Sequence, residues 1–138
     1  MILLRRILIL EDNLFVLSRL LDYLATLEQN QPFDLSLVVL TDHEQVENYI
    51  NTNPRAEFDI ILMDRDCKLN GSFHVLDIER LGVEKVIAIS SVPKWNDELK
   101  TRGVTKVVEK DLLNTDEFAG EVVRVIEKIF SKMSWTAE

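Results

Sequence analysis

Several short apolar runs in this chain end in a side chain that can hold a cation or contact a phosphate. Glu11 and Asp12 follow the first run, Asp64 follows a central one, and Ser90 and Lys110 follow two later ones. Clustered carboxylates suit Mg²⁺, a hard cation that prefers one or two carboxylates together with phosphate oxygens. Beside a cation, an ammonium and a hydroxyl, an aspartate carboxylate can act as nucleophile toward a phosphoryl group. These residue types therefore predict Mg²⁺-dependent phosphoryl chemistry, provided that the fold brings them together.

The run that ends at Asp64 predicts the strand at the centre of the fold. Ile60–Met63 is too short for a core helix and lacks polar alternation, which is typical of a strand covered on both faces. Ligands of open parallel sheets bind beyond the carboxyl ends of the strands, where Asp64 would lie. Taken alone, Asp64 is equally compatible with a helix cap or a turn. The other strand ends favour a site.

Strand-like runs alternate with segments of helical periodicity along the whole chain. This alternation predicts an α/β fold, a doubly wound five-stranded parallel sheet with helices on both faces. Right-handed crossovers bring the carboxyl ends of all the strands to one edge, so the residues that follow them are expected to converge. The predicted strands are Ile7–Leu10, Leu35–Leu40, Ile60–Met63, Val86–Ile89 and Val104–Val108.

Helices are predicted over residues 14–28, 73–82 and 93–102. A short helix is predicted to begin in the segment 41–44 and to end at Ile50, and the last helix is predicted to begin at Asn114 or Thr115. Thr41 and Glu44 have the spacing of a capping box, with Thr41 as the cap. The apolar periodicity predicts the buried faces of the first and last helices. These faces comprise Leu14, Leu17, Leu21 and Leu24 in the first helix, and Phe118, Val122, Val125, Ile129 and Met133 in the last.

The composition favours one cytoplasmic domain that does not bind nucleic acid. The chain has 138 residues, 46% of them hydrophobic, so residues 1–138 are predicted to form a single domain with no output domain. A net charge of −8, with scattered lysines and arginines, disfavours a nucleic-acid surface. The single cysteine, Cys67, excludes an internal disulfide and fits a reducing compartment. Arg5 and Arg6 interrupt the first apolar run, which leaves it too short for a signal peptide or a membrane span.

In the order and strand positions of its polar residues, the chain resembles the response-regulator receiver domain of two-component signalling, the CheY-like form of the flavodoxin-like fold. The resemblance covers nearly the whole chain. It implies that Asp64 is the phosphoacceptor, that Ser90 is the switch hydroxyl and that Lys110 contacts the phosphate.

The resemblance also implies a Mg²⁺ site. Asp12 would bind the ion directly and Glu11 through water. Asp64 and the backbone carbonyl of Asp66 would be further ligands.

A receiver-like protein is expected to be a signalling protein rather than a metabolic enzyme. Receiver domains take the phosphoryl group from a histidine kinase or phosphotransfer protein, and they catalyse only their own phosphorylation and dephosphorylation. A stand-alone receiver would signal by protein contact, without direct contact to nucleic acid or membrane. In the family, the face formed by helix four, strand five and helix five commonly forms homodimers or meets partners, so the same face is expected to do so here.

Two departures from the family pattern affect the switch. Asp111 stands where a proline with a cis bond usually follows the lysine. A non-proline cis bond costs about 2.5 to 4 kcal/mol, so this loop is expected to be trans and reshaped. Val107 stands in place of the switch aromatic and has no ring to swing inward. Phosphorylation is therefore expected to be coupled to output unconventionally.

Further departures lie in the loop after the acceptor. Lys68 replaces the usual proline, Gly71 comes early, and the third helix is expected to be trimmed. Asp66 adds a negative charge near the phosphate and is expected to slow or redirect phosphorylation.

Two other functions remain open. One is a pseudo-receiver, an interaction module that works without phosphorylation and keeps the acidic residues as a remnant. The other is a haloacid-dehalogenase-like phosphatase, because Asp64-Arg65-Asp66 resembles the Asp-x-Asp signature of that family, and Ser90 and Lys110 fit its later motifs. Such enzymes place their acidic metal-binding pair after the lysine, whereas this chain carries its acidic pair near the amino end.

The remaining candidates have simpler interpretations. Cys67 and His74 are expected to be packing residues near the site, and His43 is expected at the solvated start of the second helix. Trp95 and Trp135 are candidates for a partner surface, since aromatic residues are enriched at interfaces. Trp95 is also a candidate cover for the pocket.

Overall fold

A single parallel sheet lies between two layers of helices in the computed structural model, which describes residues 3–133. The strand order is β2-β1-β3-β4-β5, and every neighbouring pair is parallel. The strands are β1 (Leu3–Leu10), β2 (Phe33–Leu40), β3 (Ile60–Met63), β4 (Val86–Ala88) and β5 (Lys106–Val107). The predicted fold class is confirmed. Trp135 lies outside the described residues.

The helices follow the strands in alternation, and the third is a single turn, as expected. A 3₁₀ turn, Phe73–Val75, precedes that third helix, and a π-helical turn, Glu47–Asn51, continues the second. The helices are α1 (Leu14–Gln29), α2 (His43–Val46), α3 (Ile78–Leu81), α4 (Pro93–Thr101) and α5 (Thr115–Lys132). Within residues 3–133, no helix combines the length and the apolar character needed to cross a membrane.

The apolar core has two layers, one on each face of the sheet. Successive strand residues point to opposite faces, so Ile7 packs with α1 and α5 while Leu8 packs with α2, α3 and α4. All four residues of β3 are fully buried, as predicted for a strand covered on both faces. The fully buried central strand therefore ends directly before Asp64.

The predicted strand bounds were too short on one side of the sheet and too long on the other. β1 begins at Leu3 and β2 at Phe33, because the two strands pair with each other over eight residues. β4 ends at Ala88 and β5 is only two residues long. Pairing between strands, which a local apolar run does not encode, sets these bounds.

The predicted cap of α2 was wrong by one residue. Asp42, not Thr41, is the cap, and its side chain accepts a hydrogen bond from the Gln45 amide at 2.8 Å. The Gln45 side chain closes the capping box and also accepts from the Thr41 amide at 2.8 Å. The Asp–Gln pair therefore competed successfully with the Thr–Glu pair one residue earlier.

The predicted buried faces of α1 and α5 were partly wrong. Leu14 is 68% exposed and Leu21 is 39% exposed, whereas Leu20 is fully buried. In α5, Val125 and Ile129 are only half-buried, and Met133 after the helix is also half-buried. Each helix packs against both the sheet and the other helix, which rotates and widens its buried face. The buried residues are Val16, Leu17, Leu20, Leu24 and Leu27 in α1, and Thr115, Phe118, Ala119, Val122, Val123, Ile126 and Phe130 in α5.

Candidate phosphoryl and metal site

Adjacent strands bring the acidic residues together at the carboxyl edge of the sheet. β1 pairs with β3 up to Leu10 and Met63, and the Asp64 amide then donates to the Leu10 carbonyl at 3.1 Å. Glu11 and Asp64 therefore leave their strands side by side. Carboxylate oxygens of Glu11, Asp12 and Asp64 all lie within 4.8 Å of one another, so the predicted convergence of these three acids is observed.

Lys110 compensates part of this negative charge from the segment after β5, the last strand of the sheet. Its Nζ lies 2.5 Å from Oε1 of Glu11 and 2.7 Å from Oδ2 of Asp64. Its backbone amide donates to the Ser90 carbonyl at 3.3 Å, which fixes the loop after β5 against β4. Glu11 is fully buried, and Asp64 and Lys110 are 6% and 7% exposed. A buried ion pair of this kind gains little net stability, but removing one partner leaves an uncompensated charge.

The pKa values of Glu11 and Lys110 are both raised. Burial raises the pKa of Glu11 to about 7, the Asp64 charge adds to the rise, and Lys110 only partly opposes it. Burial alone would lower the pKa of Lys110, but Glu11 and Asp64 outweigh burial and raise it. Lys110 therefore stays charged, and its one ammonium is shared between Glu11 and Asp64.

The donor atoms fit Mg²⁺. They are carboxylate oxygens, the ligands that a hard divalent cation prefers, and they carry the negative charge that a cation would balance. Asp12 is partly exposed, which leaves a route to solvent. Glu11 and Asp64 are buried, and backbone amides hold their carboxylates in place. The Asn13 amide donates to Glu11 Oε2 at 3.1 Å, and the Arg65 amide donates to Asp64 Oδ1 at 2.7 Å.

The Asp66 side chain is turned to its neighbour in the loop. Its Oδ1 pairs with Arg65 Nη1 at 2.9 Å, and the side chain is 64% exposed. An isolated antiparallel β-bridge between the backbones of Asp66 and Ser72 closes the loop. Use of the Asp66 backbone carbonyl as a metal ligand stays a prediction.

Sequence reasoning missed the polar residue that holds Ser90. Asn96, in α4, is 2% exposed, and its side chain makes two hydrogen bonds of 3.0 Å to the Ser90 main chain. Ser90 is itself 3% exposed, and its Oγ accepts from the Val92 amide at 3.1 Å. Asn96 lies three residues before the fully buried Leu99, so a polar residue on the buried face of α4 was the available signal.

Sequence reasoning also missed the role of Arg65. Its guanidinium carbon lies 4.1 Å from the centre of the Trp95 ring, and Lys94 Nζ lies 4.5 Å from the same ring. Trp95 therefore packs against the residue directly after Asp64, and its role as a cover of the pocket stays a prediction.

The loop after Asp64 is shaped by packing. Leu69 and Asn70 adopt left-handed conformations, with φ of 67° and 53°. A Cβ on Gly71 would overlap the His43 ring, so Gly71 is required for space.

Within residues 3–133 there is no cis peptide bond, so the Lys110–Asp111 bond is trans, as expected.

The cysteine and the histidines lie around the site without joining the acidic cluster. Cys67 is buried, its Sγ lies 3.8 Å from His43 Nδ1, and burial raises the pKa of its thiol. His43 is the first residue of α2 and is half-buried rather than fully solvated. His74 Nδ1 lies 3.2 Å from Glu98 Oε2 of α4.

Several known structures with the same architecture are response regulators. No family model matches the sequence, and no curated protein does. The phosphorylated cyanobacterial phytochrome response regulator RcpA is 19% identical with a TM-score of 0.72, and the Mn²⁺-bound response regulator Rcp1 is 16% identical with a TM-score of 0.71. Each alignment covers 96% of this chain and 99% of the other.

A response-regulator receiver domain from Rhodospirillum rubrum is 15% identical with a TM-score of 0.69, over 94% of this chain and 95% of the other. The topology, the site edge and these likenesses agree that the protein has the CheY-like fold of response-regulator receiver domains.

Proposed function

We propose that this protein is a signalling domain that accepts a phosphoryl group on Asp64 in a Mg²⁺-dependent step. The observation that carries the proposal is the joining of Asp64 to Glu11 and Asp12 in one carboxylate cluster, with Lys110 at 2.7 Å from the Asp64 carboxylate. Two of the structural neighbours are described as a phosphorylated regulator and as a Mn²⁺-bound regulator.

Each residue has a chemical role in this proposal. A carboxylate oxygen of Asp64 attacks the phosphorus, the new O–P bond forms, and the bond to the donor breaks with its electron pair left on the donor atom. Lys110 and the Ser90 hydroxyl stabilise the phosphoryl oxygens. Mg²⁺ would be held by Asp12, Asp64 and the carbonyl of Asp66, and by Glu11 through water, and it would supply positive charge beside the phosphoryl oxygens.

The donor is proposed to be a protein, a histidine kinase or a phosphotransfer protein. Several apolar side chains around the carboxyl edge of the sheet are exposed, in the segments that follow β1, β3 and β5. These residues are Leu14, Phe15, Leu69, Leu112 and Leu113, all more than half exposed. Exposed apolar residues that surround a polar site favour contact with another protein. Dimerisation through α4, β5 and α5 stays a prediction.

The phosphatase alternative has less support. It needs Asp66 as a general acid, but the Asp66 carboxylate is largely exposed and paired with Arg65. The pseudo-receiver alternative is the outcome expected if Asp64 takes no phosphoryl group.

The test is intact mass spectrometry after incubation with acetyl phosphate and Mg²⁺. We expect the wild type to gain the mass of one phosphoryl group and Asp64→Asn to gain none. The matched control is Asp59→Asn, just before the amino end of the same strand, where the new amide oxygen can still accept from the Arg6 amide. Equal labelling of wild type and Asp64→Asn, or labelling of neither, would contradict the proposal.

A further inference from the structure

Asn96 is a buried polar side chain, and within residues 3–133 both of its side-chain hydrogen bonds go to Ser90, a residue of the proposed site. Its Oδ1 accepts from the Ser90 amide, and its Nδ2 donates to the Ser90 carbonyl. Burying an amide is costly unless its hydrogen bonds are satisfied, so the geometry around Asn96 and Ser90 is strongly specified.

The contact between Asn96 and Ser90 replaces one backbone hydrogen bond of the regular parallel ladder. Val108 donates to the Ala88 carbonyl and Lys110 donates to the Ser90 carbonyl. In a parallel ladder of this register, the Ser90 amide would donate to the Val108 carbonyl. It donates to Asn96 instead. The side chain of Asn96 therefore takes the place of a backbone partner where β4 ends.

The hydrogen bonds from Asn96 also affect the direction of the Ser90 hydroxyl. The direction of a side chain follows from its backbone, and Asn96 holds both the N–H and the C=O of Ser90. The Val92 amide donates to Ser90 Oγ, which leaves the hydroxyl hydrogen for another acceptor.

We propose that Asn96 is a positioning residue for phosphoryl transfer, which fixes the Ser90 main chain so that the Ser90 hydroxyl donates to a phosphoryl oxygen on Asp64. The inference rests on the proposed function of Asp64. It adds a residue from α4 to a site otherwise built from the strand ends.

A double-mutant cycle tests the coupling. Initial rates of phosphorylation by acetyl phosphate with saturating Mg²⁺ are measured for wild type, Ser90→Ala, Asn96→Ala and the double variant. Each single change is expected to lower the rate roughly tenfold, as for one lost hydrogen bond in the transition state. If Asn96 acts through Ser90, the double variant is no slower than Ser90→Ala. Multiplied effects would overturn the inference.

Two further measurements separate positioning from folding. The side-chain hydrogen bonds that the structure gives for Asn96 go to Ser90 and not to the acidic cluster, so Asn96→Ala is expected to keep the wild-type affinity for Mg²⁺, measured by calorimetry. Asn48→Ala, which truncates an exposed asparagine of the π-helical turn, is the control and is expected to keep the wild-type rate. A rate for Asn96→Ala equal to that of Asn48→Ala would overturn the inference.

If Asn96→Ala does not fold, the cycle is run with Asn96→Ser. This variant keeps a neutral polar group that can satisfy one of the two Ser90 main-chain groups, so its rate is expected to lie between wild type and Ser90→Ala. A wild type that takes no phosphoryl group would remove both the proposed function and this inference. A labelled wild type with an additive cycle removes only the inference.

Discussion

The ammonium nitrogen of Lys110 lies 2.7 Å from a carboxylate oxygen of Asp64, although the two residues are 46 positions apart in the chain. The same nitrogen lies 2.5 Å from Glu11. One buried cation therefore holds two buried carboxylates that follow different strands. The ion pairs link the stability of the fold to the chemistry of the site.

Replacing Lys110 with methionine is expected to destabilise the metal-free protein. The change keeps most of the side-chain volume but leaves Glu11 and Asp64 buried without a cation, which costs about 3 to 5 kcal/mol of the free energy of unfolding. Urea unfolding with and without Mg²⁺ measures the effect, and Mg²⁺ is expected to restore part of the loss. The control is Lys100→Met, since Lys100 pairs with Asp97 at the surface of α4 and its side chain is 55% exposed. Equal midpoints for the two variants would contradict the role of Lys110.

Mg²⁺ is expected to raise the melting temperature of the wild type. A ligand that binds only the folded state at a hundred times its dissociation constant stabilises by about 2.7 kcal/mol. Asp12→Asn removes a proposed direct ligand and is expected to abolish most of this shift. Asp59→Asn, at the opposite edge of the sheet, is expected to keep it. Thermal unfolding over a Mg²⁺ titration makes the comparison, and an unchanged shift in Asp12→Asn would exclude Asp12 as a ligand.

Asp66→Asn is expected to accelerate phosphorylation. The Asp66 carboxylate is exposed, pairs with Arg65, and adds negative charge two residues from the acceptor. Removing a charge a few ångströms from a phosphate in water is worth roughly 1 kcal/mol, or about fivefold in rate. The substitution keeps the backbone carbonyl, so the proposed Mg²⁺ ligand remains. The initial rate with acetyl phosphate measures the effect, and a slower variant would mean that Asp66 assists the reaction.

His74 is expected to make the protein less stable at acidic pH. Burial lowers the pKa of His74 from its ordinary value of 6.5, Glu98 opposes this effect, and Arg102 and Arg65 add to it. The unfolded chain therefore takes up its proton at a higher pH than the folded protein does. The contribution of neutral His74 to the free energy of unfolding is complete above pH 6.5, and it is lost as the pH falls toward the pKa of His74 in the folded protein.

The measurement for His74 is the urea midpoint from about pH 8 to about pH 5. His74→Gln is expected to show a smaller loss of stability on acidification than the wild type. Glu98→Gln removes the carboxylate that raises the His74 pKa and is expected to show a larger loss. Parallel profiles for all three proteins would refute the assignment.

The residues of the sequence alone determined the fold class and the members of the acidic cluster. Apolar runs ending in Glu11 and Asp64 define strand ends, and in a parallel sheet with right-handed crossovers all such ends meet at one edge. The trans bond before Asp111 followed from the absence of a proline there, and the trimmed third helix from the short segment between Asp64 and Ser90. These features depend on the order of residues along the chain, which is what a sequence displays.

Only the tertiary structure decided the features that depend on pairing across the fold. The extension of β1 to Leu3 comes from its ladder with β2, and the exposure of Leu14 comes from the way α1 packs. Asn96 is six positions from Ser90, yet its proposed role comes from accepting the Ser90 amide in place of the Val108 carbonyl. An apolar pattern records which side chains avoid water. It does not record which donor meets which acceptor, because that choice is made between segments only when they are packed together.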